Sequence, residues 1–375
     1  MENKKRILIF SLAYHPFVGG AEVAIKEITE RLGDEFEFEM ITANLDGRQS
    51  SELENFNGIS KVYRVGSGGR DKYRFPWLAY SKALELQQQN GYQAIWAMMA
   101  NQAGWAALKF KRRFPNIPYL LTLQEGDSEW DIWLRTWLIR LIYKAIYLRA
   151  DQIQTISNFL ARRAKKLGAK CPIEVVPNGI AIKSDESKIG NNGSKTIISV
   201  SRLVKKNGLG DLIMAVGIIN KDGDKPVVLK IIGEGKLRSR LENLIKKLKI
   251  NDRVIIKGQI PNEQVYGYLK QADVFVRPSL SEGLGNAFLE AMAMGVPVIG
   301  TPVGGIPDFL TDGETGWFCE VKNPQSIAEK IKYVLAEENK AEVQRVTTGA
   351  KKLVEEKYDW ELIVGRMNKI FKRLF

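Results

Sequence analysis

The chain has 375 residues, 45% of them hydrophobic and 26% charged, with 56 Lys/Arg against 43 Asp/Glu and a formal net charge of +13. That length suffices for two domains, each with its own core, and the composition is that of an ordinary soluble globular protein. Two cysteines (Cys171, Cys319) and one histidine (His15) leave no disulfide framework, no Cys/His metal cage and no His-centred triad, and no run reaches the ~20 apolar residues of a membrane span.

The charge is unevenly spread. Residues 1–60 carry six Lys/Arg against eleven Asp/Glu, whereas residues 61–170 carry nineteen against seven, a balance of +12. A basic block of that size suits nucleic acid, an anionic membrane or a phosphorylated acceptor, and no nucleic-acid-binding motif accompanies it. The short apolar run over 6–12 meets His15-Pro16 and reads as a first strand rather than a leader peptide. The loop AYHPFVGG then leads to a helix over about 22–32. Strands near 36–42, 62–65, 94–98, 119–123 and 152–155 alternate with helices, which predicts a doubly wound sheet. Gly19 and Gly20 stand where the first strand hands over to the first helix. Glycine lets backbone approach a ligand closely, and a helix N-terminus offers amides to an anion, although such a turn occurs in any strand–helix unit.

In TLQEGDSEWD, residues 122–131, Gln124 can hydrogen-bond a hydroxyl but cannot take up a proton. Asp127, Glu129 and Asp131 have a spacing that suggests a metal, yet acids just ahead of a helix suit its N-terminal charge, and no metal is expected. The following stretch, WDIWLRTWLIRLIYKAIYLRA, reads as one helix. Trp130, Trp133, Trp137, Leu134, Leu138, Leu141 and Ile142 recur at helical spacing, with Arg135, Arg140, Lys144 and Arg149 among them. Two readings stand: a helix lying in a membrane interface, or a core helix whose cations snorkel outward. The basic runs at 109–113 and 162–166 favour an anionic surface.

A hinge is expected at Pro177-Asn178-Gly179 and the polar run 183–195, where Asn192-Gly193-Ser194 is a glycosylation pattern without meaning in a cytoplasmic protein. The second half repeats the alternation, with strands over 196–200, 227–232 and 254–257. Arg202, Lys205 and Lys206 lie in the loop after the first of these. Gly233-Glu234-Gly235-Lys236 follows the second, without the spacing or the Ser/Thr of a Walker A loop. The stretch 274–301, VFVRPSLSEGLGNAFLEAMAMGVPVIGT, predicts a strand over 274–276, a loop over 277–285, a helix carrying Glu290 and a strand over 296–300. Strand, glycine loop and helix N-terminus together make an anion site. Glu282 and Glu290 bracket it. Carboxylates suit hydroxyls, and the amides of Gly285, Asn286, Ala287 and Phe288 suit phosphates, which is the layout of a nucleoside-diphosphate sugar. Helices near 324–336 and 342–371 close the chain, and no internal repeat appears.

Glu282 and Glu290, with GLGNAFLEAMA and GVPVIGTPVGG, resemble the Glu-x7-Glu signature of retaining glycosyltransferases of family 4, which have the GT-B fold. The resemblance extends over nearly the whole chain. It implies an α/β protein of two Rossmann-like domains facing across a cleft: 1–182 for the acceptor, 183–355 for the donor, and 356–375, with Trp360, as a helix returning to the first domain. It implies Glu290 on ribose, Glu282 on the sugar hydroxyls, the Gly19-Gly20 loop facing the donor phosphates and the turn Gly258-Gln259-Ile260 beside the nucleobase. An arginine and a lysine five residues on hold the diphosphate in this family. Arg202 matches, but the lysine position is Asn207, so Lys205 or Lys206 stands in, with Lys206 preferred. Where Gln124 stands, family members commonly carry a histidine; the departing phosphate is thought to take the acceptor's proton, so the departure bears on sugar preference. The implied activity is retaining, metal-independent transfer of a hexose from a UDP- or GDP-linked donor to an acceptor hydroxyl, with no other cofactor. The acceptor expected is a lipid-linked or cell-surface glycan intermediate. Work in the cytoplasm or at the inner face of the membrane follows, with 130–149 as a peripheral contact and no nucleic acid. A phosphorylase-like variant lacks the expected pyridoxal lysine or insertions. The remaining alternative is a catalytically weak subunit that binds nucleotide sugar or anchors a partner, motivated by Gln124 and Asn207.

Overall fold

The computed structural model describes residues 4–17, 19–181, 194–221 and 226–375; most of the expected linker over 183–195, and with it Asn192-Gly193, lies outside them. The chain divides into two compact units, residues 1–179 with 360–375, and residues 180–359, rather than at the expected 182 and 355.

In the first unit β1 (Lys5–Phe10), α1 (Gly20–Leu32) and β2 (Phe36–Ala43) are followed by a hairpin, β3 (Glu52–Phe56) and β4 (Ile59–Val65). Then come α2 (Asp71–Asn90), β5 (Ala94–Met98), α3 (Gln102–Arg113), β6 (Tyr119–Leu123), α4 (Glu129–Thr136), α5 (Arg140–Leu148), β7 (Gln152–Thr155), α6 (Asn158–Lys166) and β8 (Ile173–Val175). The sheet order is β3-β4-β2-β1-β5-β6-β7-β8, parallel except for β3. Ile7, Leu8, Ile9 and Phe10 are all fully buried, as strands covered on both faces must be. Helix α1 buries Ala21, Ala24, Ile25, Ile28 and Leu32, one stripe at helical spacing.

The hairpin was not expected. Its turn, Asn57-Gly58, has φ of 53° and 72°, the two positive values of a type I′ turn, and an Asn-Gly pair is the usual sequence sign of one. The single helix expected over 130–150 is also corrected: a 3-10 turn, Trp137–Ile139, separates α4 from α5. Thr136 Oγ1 turns back to the Ile132 carbonyl at 2.8 Å, a bond that competes with the helical ladder.

The second unit holds β9 (Lys195–Val200), α7 (Leu209–Lys221), β10 (Val227–Ile232), α8 (Arg238–Leu248), β11 (Val254–Gly258), α9 (Asn262–Lys270), β12 (Val274–Arg277), α10 (Asn286–Ala293), β13 (Val298–Gly300), β14 (Trp317–Phe318), α11 (Pro324–Leu335) and α12 (Lys340–Lys357). Its sheet is fully parallel in the order β11-β10-β9-β12-β13-β14, around a core that includes Leu212, Val216, Leu229, Val276 and Ile331.

The helix expected over 342–371 is two. It breaks at Tyr358-Asp359, and α13 (Trp360–Lys372) belongs to the first unit, where Trp360, Ile363, Met367 and Phe371 join the core against α1. The two chain crossings run side by side, with the Ile180 amide bonded to the Tyr358 carbonyl at 2.7 Å. Among the described residues no helix is long and apolar enough to cross a membrane.

Candidate active site

In both sheets the order reverses direction beside the first strand, between β1 and β5 in one unit and between β9 and β12 in the other. Ligands of open α/β sheets lie beyond the carboxyl ends of the strands at that reversal. In the second unit the two loops concerned are the one after β9, with Arg202, Lys205 and Lys206, and the one after β12, with Glu282 and Gly285. Folding therefore brings the expected diphosphate cations and the expected cradle together. The Leu280 amide bonds the Lys206 carbonyl at 2.6 Å. Gly208 (φ 67°) lies so close that a Cβ would stand 1.9 Å from the Pro278 carbonyl oxygen.

The cradle loop is held on its other sides as well. Thr301 Oγ1 donates to the Ser279 carbonyl and the Gly305 amide to that of Glu282, at 2.5 and 3.1 Å. Gly304 (φ 60°) would put a Cβ 1.9 Å from the same Glu282 oxygen. These contacts explain Gly208 in KKNGLG and Gly304 in TPVGG. Gly285, in the left-handed region at φ 102°, starts α10. The amide of Phe288, one of the four expected at a phosphate, is bonded to the Gly285 carbonyl at 2.9 Å within the first turn of α10. The Phe288 ring is fully buried against Phe275 and Phe309 and supports the turn from below.

Arg277, expected in the loop over 277–285, is the last residue of β12. It is 6% exposed, and its Nη2 holds Glu282 Oε2 at 2.6 Å while Nη1 reaches the Val200 carbonyl at 3.3 Å. Its guanidinium lies 4.8 Å from the Phe288 ring centroid. Glu282 Oε1 accepts from the Gly283 amide at 3.1 Å. The carboxylate expected on sugar hydroxyls is thus oriented by protein, with lone pairs remaining on both oxygens. Glu290, one turn into α10, keeps part of its side chain at the surface. Burial nevertheless pushes its carboxyl up to about 7, while the Arg277 charge pulls the other way. Four buried polar atoms on the strand ends and loops of this reversal have no hydrogen-bond partner among the described residues: Ser199 Oγ, Ser201 Oγ, Arg277 Nε and Ser279 Oγ. Native proteins carry few such atoms, and a cluster marks a place completed by water or a polar ligand.

Arg202 is exposed, and its guanidinium makes no hydrogen bond or ion pair among the described residues. Asn207 faces inward instead, 5% exposed, its Nδ2 bonded to the Arg202 carbonyl at 2.7 Å, so it shapes the loop that carries the cations. Gly233 and Gly258 bond backbone to backbone at 2.8 Å, placing the turn expected near the nucleobase at the same end of the sheet.

In the first unit Gly19 caps α1. The Glu22 carboxylate folds over it, within 2.7 Å of where a Gly19 Cβ would stand, so the anion-favouring helix end already carries a carboxylate of the chain. Gln124, at the end of β6, is held in a reciprocal amide pair with Asn178, at 3.1 and 3.2 Å. Next to it, burial raises the Glu125 carboxyl, which accepts the Ala100 amide and so ties the loops after β5 and β6 together. The acidic trio is engaged locally. Asp127 pairs with Arg135, Glu129 with Lys166, and Asp131 bonds Ser128, the cap of α4. Among the described residues no three His, Cys, Asp or Glu side chains stand together to hold a metal ion.

Residues 182–353 match the family model described as glycosyl transferases group 1, and residues 18–184 the one described as glycosyltransferase family 4. The chain belongs to this family. This family 4 glycosyltransferase is 26% identical over 373 residues to an uncharacterized glycosyltransferase of Methanocaldococcus jannaschii, covering 96% of each chain. It is 32% identical over 243 residues to the amylovoran biosynthesis glycosyltransferase of Erwinia amylovora, covering 62% of this chain and 58% of that one. Among solved structures, sucrose-phosphate synthase of Thermosynechococcus elongatus superposes with a TM-score of 0.86 at 21% identity over 99% of each chain. HepE of Anabaena, solved in complex with UDP and glucose, superposes with a TM-score of 0.78 at 16% identity over 99% of this chain and 100% of its own. The fold is GT-B, built of two Rossmann-like domains.

Proposed function

We propose that this glycosyltransferase moves a hexose from a UDP- or GDP-linked donor to an acceptor hydroxyl with retention of configuration and without a metal. The observation that carries this reading is the meeting of the two loops at the β9/β12 reversal. There a cationic loop and a carboxylate-flanked helix N-terminus are bonded to each other through the Leu280 amide and the Lys206 carbonyl. Arg202 and Lys206 would neutralise the charge growing on the departing diphosphate, the work a metal does elsewhere. The amides of Gly285, Asn286 and Ala287 would add donors at the α10 N-terminus. Glu290 would accept from ribose hydroxyls, and Glu282, aimed by Arg277, from those of the sugar. The proton of the acceptor hydroxyl would pass to the departing phosphate oxygen, so no side-chain base is required. Gln124 would bond the sugar with the amide capacity its Asn178 pair leaves over. A place for Gly19 and Gly20 at the donor phosphates rests on the family resemblance and requires Glu22 to swing aside.

A uridine donor is favoured by the UDP and glucose bound to HepE. A glycan acceptor, lipid-linked or at the cell surface, is favoured by relatives named for amylovoran and colanic acid biosynthesis and for alpha-monoglucosyldiacylglycerol synthesis. The second reading, a subunit that binds nucleotide sugar without efficient turnover, draws on the Gln124–Asn178 pairing. A donor screen separates them. Purified protein is offered UDP-, GDP- and ADP-sugars and nucleotide release is measured beside Glu290→Ala. Release from one donor, lost in the variant, is expected; donor-specific thermal stabilisation without release would favour the binding subunit, and neither signal would end the cradle reading.

A further inference from the structure

The segment from α4 to α5 carries a concentration of exposed apolar side chains that the donor chemistry does not use. Trp130, Trp133, Trp137 and Leu148 are exposed, and at the corner between the helices Leu138 and Leu141 are 79% and 84% exposed. We propose that this corner is a docking surface for an anionic lipid bilayer, with Leu138 and Leu141 entering the boundary between headgroups and acyl chains.

The inner face of the segment is already packed, so the outer residues are not a core awaiting a partner helix of the same unit. Ile132, Tyr143, Ile146 and Tyr147 are buried, and the Tyr143 and Tyr147 hydroxyls bond each other at 2.8 Å. Helix α3 approaches so closely that a Cβ on Gly104 would stand 2.9 Å from an Ile146 methyl. The 3-10 turn interrupts what would have been one amphipathic helix, and Leu138 within it and Leu141 just after it are the most exposed large apolar side chains of the segment. Trp130 and Trp133 stack at 5.1 Å and 19°, and indoles, apolar with one donor, favour the depth of the headgroups.

Charge selects the occupant. Arg140 and Arg149 are exposed on and beside α5, with Lys144 half-buried between them. Helix α6, whose last turn reaches α4 through Lys166 and Glu129, adds exposed Arg162 and Lys165. Asp127 is paired with Arg135 and Glu129 with Lys166, which sets the exposed Asp131 against five cations, Arg140, Lys144, Arg149, Arg162 and Lys165. A second copy of this chain would set cation against cation. A bilayer with anionic headgroups answers both the leucines and the arginines. The proposal rests on this surface alone and stands whichever donor the enzyme takes.

The test is flotation of the full chain with vesicles of phosphatidylcholine alone and of phosphatidylcholine with phosphatidylglycerol, in low and high salt. The wild type should partition about tenfold more strongly onto the anionic vesicles, less so in high salt. Leu138→Asp/Leu141→Asp should lose about tenfold or more of that partition. It should melt like the wild type and release nucleotide from donor in solution at the same rate. Arg140→Glu/Lys144→Glu should lose the preference for anionic lipid. Absence of flotation, or flotation untouched by the leucine doublet, would overturn the proposal. So would a dimer in light scattering that the doublet dissociates, or binding of soluble oligosaccharide that Trp133→Ala removes while vesicles are ignored.

Discussion

In the proposed reaction two side chains, Glu290 and Arg277, would govern the chemistry of the cradle, and each has a separable signature. The carboxyl of Glu290 titrates near 7 because burial disfavours its charge, with Arg277 opposing. A carboxyl raised in the folded state holds its proton more tightly than in the unfolded chain. Its contribution to stability is therefore fully present below the ordinary value of 4.5 and is lost as pH climbs to about 7. Hydroxyl recognition runs the other way, since the ionised form is the better acceptor. Donor affinity measured by calorimetry with UDP-glucose, whose diphosphate does not titrate in this range, should rise between about pH 6 and 8. In Glu290→Gln it should be flat and roughly tenfold or more weaker, as the loss of a charge-assisted hydrogen bond requires. A rising curve in the variant would remove Glu290 from the role. Arg277 and Glu282 form a pair with side chains 7% and 15% exposed. Arg277→Met leaves a buried carboxylate alone and should cost on the order of 3 kcal/mol in urea denaturation. It should also move the Glu290-linked midpoint to higher pH, a shift that mere loosening of the fold does not predict. Neither effect was legible beforehand, because the sequence shows Arg277 only as one more residue near a glycine loop.

At the scale of elements, the cradle is a loop clamped by its neighbours rather than a self-standing turn. Gly304→Ala faces two obstacles, a left-handed backbone and a Cβ 1.9 Å from the Glu282 carbonyl oxygen. The backbone alone costs about 1–2 kcal/mol, and the clash must push on the residue that carries Glu282. Donor binding should fall further than melting temperature does; a variant that binds donor normally would show that the clamp is dispensable. The pattern of strand and helix was readable because parallel strands buried on both faces are apolar runs and amphipathic helices repeat at 3.6 residues. What escaped was punctuation. The Asn57-Gly58 hairpin follows a charged strand whose Glu52 and Glu54 pair with Lys61 at an exposed edge, so its apolar signal was weak. The break at Trp137–Ile139 carries neither Pro nor Gly, and only the side-chain bond of Thr136 betrays it.

At the scale of the molecule, the terminal helix α13 is structural. Phe371 stands 5.2–5.7 Å from the rings of Trp96, Phe36 and Phe38, and a Cβ on Gly179 would fall 2.3 Å from the Trp360 ring. Trp360→Ala should therefore cost about 3–5 kcal/mol, read as a lowered unfolding midpoint of the first unit. The surface pairs of the same helix, Lys372 with Glu35 and Arg373 with Glu174, should contribute far less. Wild-type stability in Trp360→Ala would place the helix outside the core. The sequence by itself determined the class of the protein. Alternating strands and helices, a glycine loop between Glu282 and a helix, and cations after β9 are all patterns set by neighbours along the chain. Tertiary structure alone decided which of these meet. Arg277 finds Val200 across 77 residues, and Asn207 turns inward to the Arg202 carbonyl beneath the cations beside it. The reason is that such pairings depend on the order of strands in the sheets, which the folded core selects and no local pattern records.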